Sequence, residues 1–119
     1  MGAEPATRTN PAAFLYGPGH MIVHGNAAFV RAFGDGCLGQ PAREALLDMP
    51  PEAFELMDLV FSGGRPLARR IRVNGREWRL VVVPRRDPET GETYGVATHL
   101  RPFTQAEPAS PPARPWSGR

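Results

Sequence analysis

The dipeptide Asn74-Gly75 lies between two runs in which apolar and charged side chains partly alternate, residues 66–73 (PLARRIRV) and 77–83 (EWRLVVV). A two-residue connection of this kind needs positive φ at both positions. Asparagine and glycine tolerate that conformation, and its twist suits two antiparallel strands. The chain is therefore committed to a β-hairpin in its second half. In the first run Leu67, Ile71 and Val73 take one face, and Arg70 and Arg72 the other. A second polar turn, DPETGET at 87–93, leads into a third run at 94–100 (YGVATHL). Three strands joined by two short loops form an antiparallel meander.

Upstream of the meander the period changes. Residues 13–16 and 20–24 read as two short strands around a Gly17-Pro18-Gly19 turn, the second carrying Met21, Ile22 and Val23. Asn26 suits a helix N-cap, because its side-chain oxygen can accept from an orphan backbone N–H. Phe29, Val30 and Phe33 follow at helical spacing, and Gly34 is a stop. Residues 41–47 predict a second short helix with Pro41 in its first turn. Residues 52–61 predict a third, with Phe54, Met57, Val60 and Phe61 on one side and Ser62-Gly63-Gly64 closing it. The order is strand, strand, helices, three strands. Its simplest closure is an α+β domain: one five-stranded antiparallel sheet with short helices packed on one face.

The chain has 119 residues, enough for one hydrophobic core. Residues 1–12 read as a flexible lead, 13–101 as the domain, and 102–119, with five prolines and no apolar period, as a disordered tail. A single cysteine, Cys37, excludes an intramolecular disulfide and a cysteine-only zinc site within one chain. A reducing cytoplasm is the simplest location. No apolar run approaches the roughly 18–20 residues of a membrane helix, so no membrane role is expected.

The residues also resemble the PAS domain family. GHMIVHGNAAFVRAFG at 19–34 is similar to the family's strand followed by Asn, small and aromatic residues, then Gly. Leu38-Gly39-Gln40-Pro41 resembles the segment that comes next. Asn74-Gly75-Arg76-Glu77-Trp78, Val83-Pro84, Asp87, Gly91 and Gly95-Val96 resemble the closing hairpins. The likeness covers about residues 13–101 and departs at His99-Leu100-Arg101, where many members end in Asp-Ile-Thr. It implies the PAS fold, and a sensory or protein-interaction module in signal transduction with a place for a small ligand between helices and sheet. By the same resemblance the signal passes to an attached output domain; none fits in 119 residues, so the expectation is either a stand-alone PAS protein or a sensor segment of a longer one.

The resemblance bears on cofactors. Photoactive flavin members carry Asn-Cys-Arg just after the Leu-Gly, and here Pro41 and Ala42 occupy the first two positions. Haem members place a histidine on the long helix, and PPEAFELMDLVF has none. Both cofactors are disfavoured, and the ligand identity stays unknown. Met49 and Met57 read as core. His20 and His24 fall at opposite ends of the second strand and on one side of it, with no third ligand at tight spacing, so no metal site is expected. The expected pocket residues are Phe29, Phe33, Leu46, Phe54, Met57, Phe61, Ile71, Trp78, Leu80 and Val82. Gly-x-Ser-x-Gly, His-Glu-x-x-His and a phosphate loop are all missing from the sequence, and the expectation is a non-catalytic protein.

Charge is unevenly distributed. Residues 65–86 hold eight arginines against Glu77 alone, a net of +7, whereas residues 44–58 hold five carboxylates and no base, a net of −5. A solvated or partner-docking face is the preferred reading. The alternative is a small nucleic-acid-binding domain that uses residues 65–86, because clustered arginines neutralise phosphates. Trp78 is the one stacking candidate there, and it alternates away from Arg79. Val81, Val83 and Ala97 alternate opposite to Leu80, Val82 and Val96, so both sheet faces carry apolar residues. The outer set is expected to be an interface, in a homodimer or with a signalling partner protein.

Overall fold

The computed structural model describes residues 10–103. Strands β1 (Ala12–Tyr16) and β2 (Met21–Gly25) come first, then helix α1 (Ala27–Phe33), a 3-10 turn (Asp35–Cys37), the single-turn helix α2 (Ala42–Ala45) and the long helix α3 (Pro51–Gly63). Strands β3 (Leu67–Val73), β4 (Arg76–Arg86) and β5 (Thr93–Pro102) follow. All pairs are antiparallel, and the sheet order is β2-β1-β5-β4-β3. The helices lie on one face, as the element order predicts.

The hairpin at Asn74-Gly75 forms with φ of 52° and 80°, and it sets Val73 opposite Arg76. Asp87 organises the next turn: its carboxylate accepts from Glu89 N at 2.8 Å, and its backbone carbonyl accepts from Gly91 N at 2.7 Å. β5 is the central strand, and β1 lies on its free side with Phe14 opposite Ala97. That pairing brings Gly95 against β1. A Cβ at Gly95 would collide with the Leu15 carbonyl, so only glycine fits.

Asn26 caps α1, its Oδ1 accepting from Phe29 N at 2.9 Å. The same oxygen accepts from Ala12 N at 3.0 Å, and Nδ2 donates to Asn10 O at 3.0 Å. One side chain thus fixes the helix start and the entry of β1 together. The edge of β2 is covered rather than open. Ile22 N donates to Gln40 O at 2.9 Å, and Gly39 N donates to Ile22 O at 2.7 Å. Helix α3 begins on Pro51 and ends at Gly64 (φ 73°), whose N–H bonds Val60 O. Its buried stripe of Ala53, Phe54, Leu56, Met57 and Val60 packs on the sheet with Leu15, Ile22, Leu80, Val82, Val96 and Leu100.

Several local expectations need correction. The helix expected over 41–47 is one turn, Ala42–Ala45, because Leu46 leaves the helical conformation (φ −100°, ψ 72°). The helix expected over 52–61 runs three residues longer in total. Leu67 is exposed at the end of edge strand β3 instead of sharing the burial of Ile71 and Val73. β2 is not a buried strand: Ile22 alone is buried, and Met21 and Val23 face outward.

Candidate functional site

Two places on this scaffold can take part in recognition: a cavity under the helices and the outer face of the sheet. The cavity has a volume of about 20 Å³ and is lined by Pro11, Ala13, Leu15, Ile22, Phe29, Phe33, Leu46, Met49, Met57, Leu80, Thr98 and Leu100. A water needs roughly 10–15 Å³ and two to four polar partners. The lining offers the Thr98 hydroxyl, and that already donates to Ala13 O at 3.4 Å. The space suits a small apolar group rather than a water.

Of the residues expected to line a ligand pocket, Phe29, Phe33, Leu46, Met57 and Leu80 border this cavity. The other five expected residues lie elsewhere. Phe54, Ile71 and Val82 are buried in the core, and Phe61 and Trp78 are half-buried against it. The reason is the displacement of the cavity toward β1 and α1. Of its seven missed members, Ala13, Leu15, Thr98 and Leu100 come from the β1–β5 pairing, which no local pattern announces, and Pro11, Ile22 and Met49 come from the chain entering β1, from β2 and from the segment before α3.

His20 is not on the side of β2 that carries His24. It sits in the β1–β2 turn with φ 55°, so strand alternation does not reach it, and it is 1% exposed. His24 is exposed, its ring centre 5.7 Å from that of Phe14. His20 Nε2 donates to Asp58 Oδ1 at 2.7 Å, and Arg43 donates to Asp58 Oδ2 at 2.9 Å. The carboxylate can only accept, which places the ring proton on Nε2 and leaves buried Nδ1 without a partner among the described residues. Phe61 meets the ring edge-on at 6.2 Å. The cluster ties the turn, α2 and α3 together. Burial pushes the Asp58 carboxyl up, but the hydrogen bonds from Arg43 and His20 outweigh it and hold the group below its ordinary value. Cys37 is buried, and burial pushes its thiol up, away from the reactive thiolate.

The outer face is ordered in rows by strand register. Arg70, Arg79 and Arg101 stand opposite one another on β3, β4 and β5. The next row holds Ala68, Val81, His99 and Ala12, and the one after it Val83, Ala97, Phe14 and His24. Val81, Val83 and Ala97 thus fall together on this face, with Val83 at 41% exposure. Arg85 lies 4.0 Å above the centre of the Phe14 ring and 5.2 Å from that of Tyr94, while Arg70 lies 4.7 Å above Phe103. Trp78 is on the opposite, helical side of the sheet, opposite Ile71 and Pro102. The arginine row was within reach of the sequence. A two-residue turn that pairs residue 73 with 76 also pairs 70 with 79.

Among the described residues no helix is long and apolar enough to cross a membrane, and no three His, Cys, Asp or Glu side chains gather as metal ligands.

The architecture is the PAS-type α+β fold. A sensory box sensor histidine kinase from Vibrio cholerae superposes with TM-score 0.69 at 14% identity, covering 86% of this chain and 89% of that one. The PAS domain of Bordetella pertussis BvgS superposes with TM-score 0.62 at 22% identity, covering 82% and 79%. VqmA of Vibrio cholerae, solved bound to DPO, superposes with TM-score 0.64 at 15% identity, covering 85% of this chain and 56% of that one. No protein-family model and no curated protein matches the sequence.

Proposed function

We propose that this chain is a sensory and protein-interaction module of signal transduction, non-catalytic, with the folded unit at about residues 12–102, one residue beyond the expected 13–101 at each end; most of the expected lead and tail lies outside the described residues. The observation that carries the reading is a PAS-type sheet with apolar groups on both faces. One face closes a small cavity under the helices, and the other presents Val81, Val83 and Ala97 beside Phe14. The first, at about 20 Å³, would have to widen before a small uncharged ligand could enter, and the second suits a partner protein or another copy. The likeness to a sensor histidine kinase and to VqmA bound to DPO supports the reading. A cytoplasmic location fits a lone buried thiol.

An absorbance spectrum with a native mass of the purified protein tests the ligand part. A protein without visible bands, whose mass equals that of the chain or of the chain plus a small organic molecule, is expected. A haem or flavin spectrum would overturn the cofactor expectation.

Nucleic acid is a second reading, favoured by the arginine row together with outer-face aromatics. The guanidiniums of Arg85 and Arg70 already cover the Phe14 and Phe103 rings on which bases would stack. Protein is therefore the preferred partner for this face.

A further inference from the structure

Like charges directly opposite each other destabilise a sheet. Arg70, Arg79 and Arg101 nonetheless stand side by side on three neighbouring strands. At the usual strand spacing the row spans about 10 Å. Glu77, in the adjoining row, is already shared by Arg70 at 3.6 Å and Arg72 at 2.9 Å. Among the described residues Arg79 and Arg101 make no ion pair. Beside the row lies the apolar band around Val83 and Phe14.

The opposite side of the molecule has the reverse charge. Glu52, Glu55 and Leu59 follow at helical spacing along one stripe of α3, and Leu47 and Asp48 precede the helix. Leu59 is 56% exposed and Leu47 81%, so this acidic surface also carries apolar groups left open among the described residues. Arg43 on α2 is engaged with Asp58.

We propose that the outer sheet face docks the α2–α3 face of a second copy of this chain, head to tail. The inference rests on the outer face being a protein contact surface. Charge complementarity selects this partner. Stacking two sheets face to face would bring two arginine rows to one interface with Glu77 as the local carboxylate. Sheet on helices sets Arg79 and Arg101 against Glu52 and Glu55, and the apolar band against Leu47 and Leu59. Two different patches meet, so the assembly can grow with concentration unless its rotation closes a ring.

The test is sedimentation of the full chain over a wide concentration range at low and high salt. Two surface variants are compared, each first checked by circular dichroism for an unchanged fold. The sheet variant is Arg79→Glu with Arg101→Glu, and the helix variant is Glu55→Arg with Leu59→Arg. Concentration-dependent growth of the wild type is expected, weakened by salt, and about tenfold or more weaker in each variant. An equimolar mixture of the variants is expected to regain association, because each supplies the face the other lacks. A closed dimer lost only in the sheet variant would overturn head-to-tail docking and leave the outer face as a contact surface. A wild type that stays monomeric at every concentration would overturn the proposal and leave the face to a different protein. A short single-stranded probe shifted by the wild type and not by the sheet variant would overturn the contact-surface reading as well.

Discussion

At the residue scale, His20 holds a backbone conformation that residues other than glycine seldom adopt. The reward is a buried imidazole that joins the β1–β2 turn to Asp58 on α3. His20→Ala should cost about 2–4 kcal/mol, chiefly from lost packing of the buried ring, since the half-exposed Asp58 carboxylate can turn to water, read as a lower urea midpoint at unchanged m. Asp58 sets a pH dependence. Its folded pKa lies below the ordinary value, so it binds a proton less readily folded than unfolded. Its stabilising contribution is full above the ordinary carboxylate range and lost as pH falls through the lowered value. Asp58→Asn should flatten the acid limb of a stability-versus-pH curve. His99 acts higher on the scale. Burial, then the charge of Arg101, lowers its pKa from the ordinary 6.5. The unfolded chain therefore takes up the proton first, and stability declines as pH drops through 6.5 and levels off below the lowered folded value. Replacing His99 with Gln should remove that slope in thermal melts.

Between elements, single side chains couple neighbours. Asn26 caps α1 and also holds the residues entering β1. An ordinary N-cap is worth about 1 kcal/mol. Asn26→Ala should cost about 2–3 kcal/mol in chemical denaturation, because two further hydrogen bonds go with the cap. Gly95 is a sharper case. With a Cβ, the β1–β5 pair must spread, so Gly95→Ala should cost about 2–3 kcal/mol and raise amide exchange selectively in β1 and β5. The hairpin β3–β4 was legible because Asn74-Gly75 specifies both its turn and its register. Helix α1 was legible because cap, apolar spacing and stop agree. The length of β5 was not. Its far end is set by pairing of Pro102 with Trp78, 24 positions away in sequence, and its near end by Thr93 pairing with Arg86 across a bulge at Arg85/Arg86.

For the whole molecule, the cavity makes the prediction. Met57 is buried and lines it. Met57→Ala should cost about 2–5 kcal/mol, and the enlarged apolar space should accept a small guest such as benzene, raising the variant's Tm above its guest-free value and above any shift in the wild type. Failure of the guest to raise Tm would mean that the neighbouring side chains collapse into the space.

The α+β class, the meander, the inward and outward alternation of β4 and β5, and the split between a basic and an acidic segment were all readable from the amino-acid sequence. Each depends on residues a few positions apart, where backbone geometry dictates which side chains share a face. Tertiary structure alone decided that β1 joins β5 rather than the free edge of β3, and so which residues enclose the cavity. It also decided that His20 turns inward to meet Asp58, and that Phe14 and Tyr94 share one guanidinium. Those outcomes depend on long-range closure, in which alternative pairings of similar local strands differ only in how well the whole core packs.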